Sequence, residues 1–126
     1  ELFINNQCGA CHIPTMKTAT SPIQGLSNKT FAAYTDLLMH DMGKDLDDNY
    51  TEGTAKTFEW RTTPLWGLGL SKDSQGGKYH LMHDGRAKSI EDAILQHGGE
   101  ANKSRQKYLA LSTQEKQKMI TFLESL

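Results

Sequence analysis

The two cysteines of the chain stand in one short motif, Cys8-Gly9-Ala10-Cys11-His12. No other cysteine is present, so none is left for a structural disulfide. On a helical turn, two cysteines three positions apart can bond the two vinyl groups on one edge of a porphyrin, and the next residue then projects under the iron. The motif therefore predicts one covalent haem c, with Cys8 and Cys11 as the thioether residues and His12 as an iron ligand.

Two other kinds of site also use a Cys-x-x-Cys pair. A dithiol redox centre places the pair at a helix start after a strand, whereas residues 2–7 are better interpreted as a short amphipathic helix. A structural zinc site needs four ligands, and His80 and His83 are spaced as a possible second pair. The histidine directly after Cys11 favours haem over both alternatives.

The composition agrees with a domain that relies on a cofactor for part of its core. Only 37% of the 126 residues are hydrophobic, and the mean hydropathy is −0.60. A large apolar cofactor would supply packing surface that the side chains lack. The net charge of −1 gives no indication of nucleic-acid binding, and no apolar run approaches the ~20 residues of a membrane span. We predict a single domain over residues 1–126.

Sequence patterns predict short helices joined by long loops. Apolar residues at helical spacing predict a helix over residues 31–42. Residues 13–30 and 71–78 are rich in turn-forming and polar residues, which predicts loops. Residues 58–70 combine aromatic side chains with Pro64 and two glycines, which predicts an extended segment.

Two later helices begin with clear capping signals. Ser89 precedes one helix, which Gly98-Gly99 is expected to end. Ser112 and Glu115 form a capping box at the start of the last helix, whose apolar stripe can pack across the first helix at Phe3. The predicted fold class is all-α, a cytochrome c-like domain of short helices and long loops wrapped around one covalent haem.

The second axial ligand of the iron is less well determined by the sequence. Haem iron in cytochromes takes methionine or histidine there. His97 is expected at the end of a short helix, on its apolar face, where a histidine is either paired in the core or bound to something. We predict His97 as the ligand, with Met42 and Met82 as the main alternatives, although methionines at helical spacing are more often core residues. The other candidates are Met16, Met39, His40, His80 and His83.

The aromatic segment over residues 58–70 contains two further candidates for the cofactor site. Arg61 lies between Trp60 and Trp66 and is a candidate partner for a haem propionate through a charge-assisted hydrogen bond. The alternative is a surface arginine beside two core tryptophans. We include Arg61 and Trp66 among the predicted cofactor-binding residues.

An acidic stretch follows the predicted helix over residues 31–42. Its carboxylates are Asp41, Asp45, Asp47 and Asp48. Carboxylate oxygens suit calcium, but the spacing matches no EF-hand loop, and a solvated turn is the preferred interpretation.

Five stretches of the chain resemble one protein family in their order and residues. They are Cys-x-x-Cys-His at 8–12, Tyr-x-Asp-Leu-Leu-x-His-Asp-Met-Gly at 34–43, Glu-Trp-Arg-Thr-x-Pro-Leu-Trp-Gly at 59–67, His-Asp-Gly-Arg at 83–86 and Ala-Ile-Leu-Gln-His-Gly-Gly-Glu-Ala at 93–101. Together they resemble the C-terminal haem domain of the di-haem oxidoreductases, peroxidase-like proteins formerly called thiol oxidoreductases. These are similar to bacterial di-haem cytochrome c peroxidases and to the di-haem enzyme that matures methylamine dehydrogenase. The resemblance spans about residues 3–126.

The resemblance implies a periplasmic enzyme with two c-haems, one reacting with peroxide and the other relaying electrons. It places His97 where the peroxidases have the methionine ligand of the electron-transfer haem. Residues 78–82 depart from the proline-containing pattern of the peroxidases, so their interdomain calcium site is not expected here.

The chain has one haem motif rather than two. We therefore expect an electron-transfer domain of a longer oxidoreductase, working with a redox partner protein or a second haem domain. Peroxidase turnover by this chain alone is not assumed. The alternative function is a freestanding mono-haem cytochrome that only shuttles electrons.

Overall fold

A computed structural model describes all of residues 1–126. The five α-helices are α1 (Leu2–Asn5), α2 (Leu68–Ser74), α3 (Ile90–Leu95), α4 (Asn102–Leu109) and α5 (Thr113–Glu124). Short 3₁₀ turns lie at Cys8–Ala10, Gln24–Leu26, Lys44–Leu46 and Gly99–Ala101. Helical residues of both kinds make up 39% of the chain. None of the helices has the length and apolar character needed to cross a membrane.

Two small antiparallel sheets show that the predicted all-α fold class is wrong. Strand β1 (Met16–Lys17) pairs with β2 (Thr30–Phe31), and β3 (Met39–Asp41) pairs with β4 (Glu59–Arg61). The fold is therefore mixed. In the second sheet His40 lies opposite Trp60, so the pairing brings together two stretches that are well separated in the sequence.

The helix predicted over residues 31–42 does not form. Tyr34 and Leu37 have φ angles of 52° and 61°, in the left-handed region that a helix does not use. The side-chain oxygens of Thr35 and Asp36 accept the backbone N–H groups two residues further on, each at 2.9 Å. Such local bonds compete with helical hydrogen bonding. Of the apolar residues that suggested a helix, Phe31 lies in β2, whereas Tyr34, Leu38 and Met42 lie in irregular chain.

The capped helices are confirmed. Ser89 Oγ accepts the N–H of Asp92 at 3.0 Å at the start of α3, and Ser112 and Glu115 form the complete capping box of α5. Helix α3 ends at Leu95, however, so His97 lies two residues beyond it and not within it. Helix α2 forms where the sequence predicted extended chain and loop, and α4 was not predicted.

The apolar core is small and lies where the terminal helices meet. The rings of Phe3 in α1 and Phe122 in α5 are 5.4 Å apart, which confirms the predicted contact between the two helices. The buried cluster comprises Phe3, Tyr79, Ile90, Tyr108, Met119 and Leu123. Only 12 of the 126 residues are buried, because many of the remaining apolar side chains line a cavity instead of packing against one another.

Candidate functional site

A cavity of about 910 Å³ opens beside this core. Its apolar lining includes Phe3, Ala10, Met42, Leu46, Leu65, Leu68, Leu81, Ile90, Ile94 and Leu123. Its polar lining includes Cys8, Cys11, His12 and His97. Cofactor sites are typically clefts of about 300–1,000 Å³ with mostly apolar walls and a few placed polar groups, and this cavity has that character.

The attachment motif forms one wall of the cavity. Cys8 begins the 3₁₀ turn, Cys11 follows it, and both are free, partly buried thiols. Burial is the largest cause of a raised pKa at each thiol. A dithiol redox centre works through a thiolate of lowered pKa, so the local environment argues against that alternative. Gly9 packs against Ile4 and does not line the cavity.

The His12 imidazole is held in one tautomer by the backbone. Its Nδ1–H donates to the carbonyl oxygen of Tyr34 at 3.0 Å, because a carbonyl can only accept. Burial lowers the pKa of His12 to about 4, although the bond to Tyr34 opposes that shift. The ring is therefore neutral near pH 7, and its Nε2 lone pair is available to a metal.

The His97 imidazole is held in the same way on the other side of the cavity. Its Nδ1–H donates to the carbonyl oxygen of Ala93 in α3 at 2.7 Å. Burial lowers the pKa of His97, and the neighbouring Arg105 cation lowers it further. This second neutral imidazole also keeps Nε2 free of any hydrogen bond within the protein.

The rings of His12 and His97 lie at a spacing suited to one metal ion between them, with their planes tilted by 48°. The ring centroids of His12 and His97 are 6.5 Å apart. Two imidazoles on opposite sides of one metal, each at a bond of about 2 Å, place their centroids roughly 6 Å apart. The structure thus brings together the two residues that the sequence predicted as axial ligands.

The competing ligands are arranged differently. Met42, Met82, His40, His80 and His83 all line the cavity, whereas Met16 and Met39 do not. His83 stacks on Trp60 with the ring centroids 3.7 Å apart, and His80 accepts a hydrogen bond from Lys88 at 2.9 Å. His97 is the one histidine whose ring lies opposite that of His12.

The predicted residues of the aromatic segment lie at the edge of the cavity. Arg61 lines it but is exposed, and its side chain forms no hydrogen bond or ion pair. The side chain of Trp66 is 57% exposed and packs against Phe31, with ring centroids 5.7 Å apart. Trp60 is more enclosed, and its Nε1–H donates to the carbonyl oxygen of Leu46 at 2.8 Å.

A charged cluster connects the attachment motif to the His97 loop. His40 Nε2–H donates to Asp36 at 2.8 Å, and His40 Nδ1–H donates to Glu100 at 2.9 Å. These bonds, led by the one to Glu100, raise the pKa of His40. Glu100 also accepts the backbone N–H of Asp41 at 3.1 Å, which ties the loop after His97 to β3.

The protein contains no group of four side chains arranged as a structural zinc site. Cys11, Asp36 and His40 form the one group of potential metal-binding side chains whose ligand atoms lie within 4.8 Å of one another. His80 and His83, the predicted second zinc pair, do not join it. Both ring nitrogens of His40 are already bonded to carboxylates, so this ring has no free lone pair for a metal.

The acidic residues from the end of β3 onward accept hydrogen bonds within turns. Asp41, Asp47 and Asp48 each accept the backbone N–H two residues further on, at 2.8 to 2.9 Å. No three carboxylates there converge on one point. The solvated-turn interpretation accounts for these residues.

Sequence reasoning missed a cation at the cavity, Arg105 in α4. It lines the cavity, and its Nε is a buried nitrogen without a hydrogen-bond partner. No capping or periodicity signal marked α4, so nothing in the sequence placed this side chain at the site. The carbonyls of Tyr34 and Ala93 were also missed, because backbone groups leave no trace in the residue pattern.

One protein family matches the chain along its whole length. The family described as "Di-haem oxidoreductase, putative peroxidase" matches residues 1–126. The chain belongs to this family. No curated protein and no solved structure matches the chain significantly.

The residues of this di-haem oxidoreductase chain suit the group that the family name implies. The two cysteines border an apolar cavity, and two neutral imidazoles line it with their ring centroids 6.5 Å apart. Arg105, a partly buried arginine whose Nε is fully buried, lies at the same cavity without an anionic partner in the chain. These donors match haem c, which needs two thioether positions, axial nitrogen ligands and cations for its carboxylates.

Proposed function

We propose that this chain is the electron-transfer domain of a di-haem oxidoreductase. In this proposal one haem c is bonded to Cys8 and Cys11, and its iron is ligated by His12 and His97. The facing pair of neutral imidazoles is the observation that supports it most. When bound, the haem supplies one-electron redox chemistry.

The residues around the cavity support this redox chemistry by orienting the histidine ligands and by excluding water. The Tyr34 and Ala93 carbonyls orient His12 and His97 and keep them neutral donors through Nε2. The apolar walls exclude water and so limit the reorganisation that accompanies a change of charge. If His12 and His97 both ligated the iron, no coordination site would be left for peroxide, so the domain would pass electrons and would not itself reduce peroxide.

The proposal also covers the location of the second haem and of the protein in the cell. The family name speaks of two haems, whereas these residues contain one attachment motif. We place the second haem in another domain or in a redox partner protein, and we place the protein in the periplasm, where c-type haem is attached. Residues 1–126 then form one domain of a longer two-haem protein.

A second candidate is a freestanding mono-haem cytochrome, and the single motif favours it. The complete reading frame distinguishes the two. A second Cys-x-x-Cys-His motif in that reading frame supports the di-haem protein. Its absence, together with purification of this protein carrying one haem in complex with a redox partner, supports the cytochrome.

The proposal is tested by expressing the chain in a host that attaches c-type haem. Denaturing mass spectrometry is expected to show the polypeptide plus one haem, and the ferric absorption spectrum is expected to be low-spin. The Cys8→Ser/Cys11→Ser double variant is the matched control and should show the polypeptide mass alone. Wild-type protein that releases its haem into acid acetone, or that takes up none, would refute the covalent site.

A further inference from the structure

Arg105 is a cation at the cavity that lacks any anionic partner in the chain. The ion pairs within 4.0 Å involve only His40, His83 and Arg86 as cations. The Nη1 group of Arg105 donates to the Leu95 carbonyl oxygen at 3.4 Å, and Nη2 donates to Asn102 Oδ1 at 2.7 Å. Both acceptors are neutral, so the charge is uncompensated.

Arg105 is also the one residue with a buried polar side-chain atom that has no hydrogen-bond partner. That atom is Nε, whose N–H finds no acceptor in the protein. Buried N–H groups are almost always satisfied, and an exception usually indicates a missing water, ion or ligand. A guanidinium stays protonated at any physiological pH, so it cannot avoid this cost by losing its proton.

The position of Arg105 indicates which anion pairs with its guanidinium group. Its side chain lines the same cavity as His97, and Lys103 and Ser104 of the same helix line it too. Its bond to Leu95 places it beside the segment that leads to His97. Arg61, the arginine that the sequence favoured, is exposed and already solvated, so it has no comparable need for a partner.

We infer that Arg105 binds a carboxylate of the haem in this cavity, and that it is a positioning residue which holds the cofactor against the His97 loop. The inference rests on the proposed function. A planar guanidinium presents two parallel N–H groups to a carboxylate and is the preferred donor for such pairs. Its positive charge beside the cofactor also favours the reduced state.

The test compares haem-loaded Arg105→Gln and Arg105→Lys with wild type. The control is Lys118→Gln, which removes an exposed charge on α5 away from the cavity. The reduction potential is measured from mildly acidic to mildly alkaline pH, and the ferric spectrum confirms that both axial ligands remain. Mass spectrometry confirms one haem in each protein.

Arg105→Gln is expected to lower the potential and to move its pH-dependent region to higher pH, because the unpaired carboxylate holds its proton more tightly. Arg105→Lys should keep most of the potential but still shift the pH-dependent region, since an ammonium cannot reproduce the bidentate fork. Lys118→Gln should resemble wild type in both respects.

The outcomes separate this inference from the proposed function. Wild-type protein without covalent haem refutes both. Haem-loaded Arg105→Gln with the potential and pH dependence of Lys118→Gln refutes only the role of Arg105. If Arg105→Gln does not accumulate as folded protein, the Arg105→Lys variant tests the inference instead. A reduction potential in Arg105→Lys with the same pH dependence as wild type overturns the inference.

Discussion

His12 and His97 are equivalent in their local chemistry although they come from unrelated parts of the chain. Each donates Nδ1–H to a backbone carbonyl, at 3.0 Å for His12 and 2.7 Å for His97. Burial lowers the pKa of both rings. A metal ligand must be a neutral imidazole, and these two remain neutral without help from the metal.

Replacement of His97 tests its assignment as the second axial ligand. His97→Ala is expected to convert the ferric haem from six-coordinate low-spin to high-spin or water-ligated, because Glu100, the other donor of that loop at the cavity, is already bonded to His40. The variant should also bind small anions such as azide. Optical and electron paramagnetic resonance spectra of the haem-loaded protein report both changes.

Met42→Leu and Met82→Leu are the controls for that experiment, since both methionines line the cavity. Both variants should stay low-spin. A near-infrared sulfur-to-iron band in the wild type, abolished by either change, would assign the ligand to that methionine.

His40 predicts how stability depends on pH. Its pKa is raised above the usual value, chiefly by the hydrogen bond to Glu100. The stabilisation is therefore complete below the unfolded-state pKa of about 6.5 and is lost as pH rises through the folded-state pKa. At the acidic end the pKa values of Asp36 and Glu100 are lowered. Burial opposes the shift at Asp36, and the bond to His40 leads it at Glu100. Their contribution is lost as pH falls through those values.

Urea unfolding of haem-loaded wild type and His40→Gln over a pH series measures this window. The difference in unfolding free energy should be largest in weakly acidic solution and should shrink toward alkaline pH. The titratable groups around His40 are Asp36, Glu100, Cys11 and the more distant His12. Taking a difference between the proteins cancels the titration of groups that do not interact with His40, and the lowered pKa values of Asp36 and Glu100 confine their coupled titration to the acidic end. A difference that stays constant with pH would show that His40 is not protonated in the cluster.

At the level of elements, strand β3 and the loop after His97 pack through glycine backbones. Gly99 has a φ of +49°, and a Cβ there would collide with the Asp41 carbonyl oxygen and lie 2.7 Å from the Gly43 nitrogen. A Cβ on Gly98 would lie 2.6 Å from the Met42 carbonyl oxygen. The close backbone contact holds the loop that positions His97.

Gly99→Ala is expected to reduce the unfolding free energy by roughly 1–3 kcal/mol, the usual cost of a strained backbone position, and to weaken His97 ligation. Gly53→Ala is the matched control, because Gly53 also has a positive φ, +62°, but has open space around it. Chemical denaturation and the ferric spin state are the measurements. Equal effects from the two substitutions, with an unchanged spectrum, would show that the contact with β3 does not position His97.

At the level of the whole molecule, the buried core is small because many apolar side chains line the large cavity instead. Nine buried hydrophobic residues provide little hydrophobic stabilisation for a chain of this length. The walls of the cavity of about 910 Å³ remain in contact with water until a ligand fills it. In the proposed function, the haem fills this cavity and so completes the hydrophobic core.

The haem-free Cys8→Ser/Cys11→Ser protein is expected to be much less stable than the haem-loaded wild type. The loss should be a large part of the roughly 5–15 kcal/mol typical of a folded domain. Thermal and urea unfolding followed by circular dichroism measure it. Similar stability of the two proteins would mean that the cavity is not the site of the haem.

The sequence determined the features that depend on neighbouring residues. The attachment motif, the Ser89 cap and the Ser112–Glu115 capping box involve residues within a few positions of one another, and the structure contains each of them. The family resemblance was also visible in the sequence, and the family match confirms it. The choice of His97 came from its place near the end of a predicted helix and from that resemblance.

Tertiary structure alone decided the rest. The periodicity of residues 31–42 predicted a helix, but cross-strand pairing of β3 with β4 and the local bonds of Thr35 and Asp36 outweighed it. The position of Arg105, and the distance of 6.5 Å between His12 and His97, depend on how separate elements pack around the cavity. Contacts between distant parts of a chain leave no local pattern, so only the folded chain shows them.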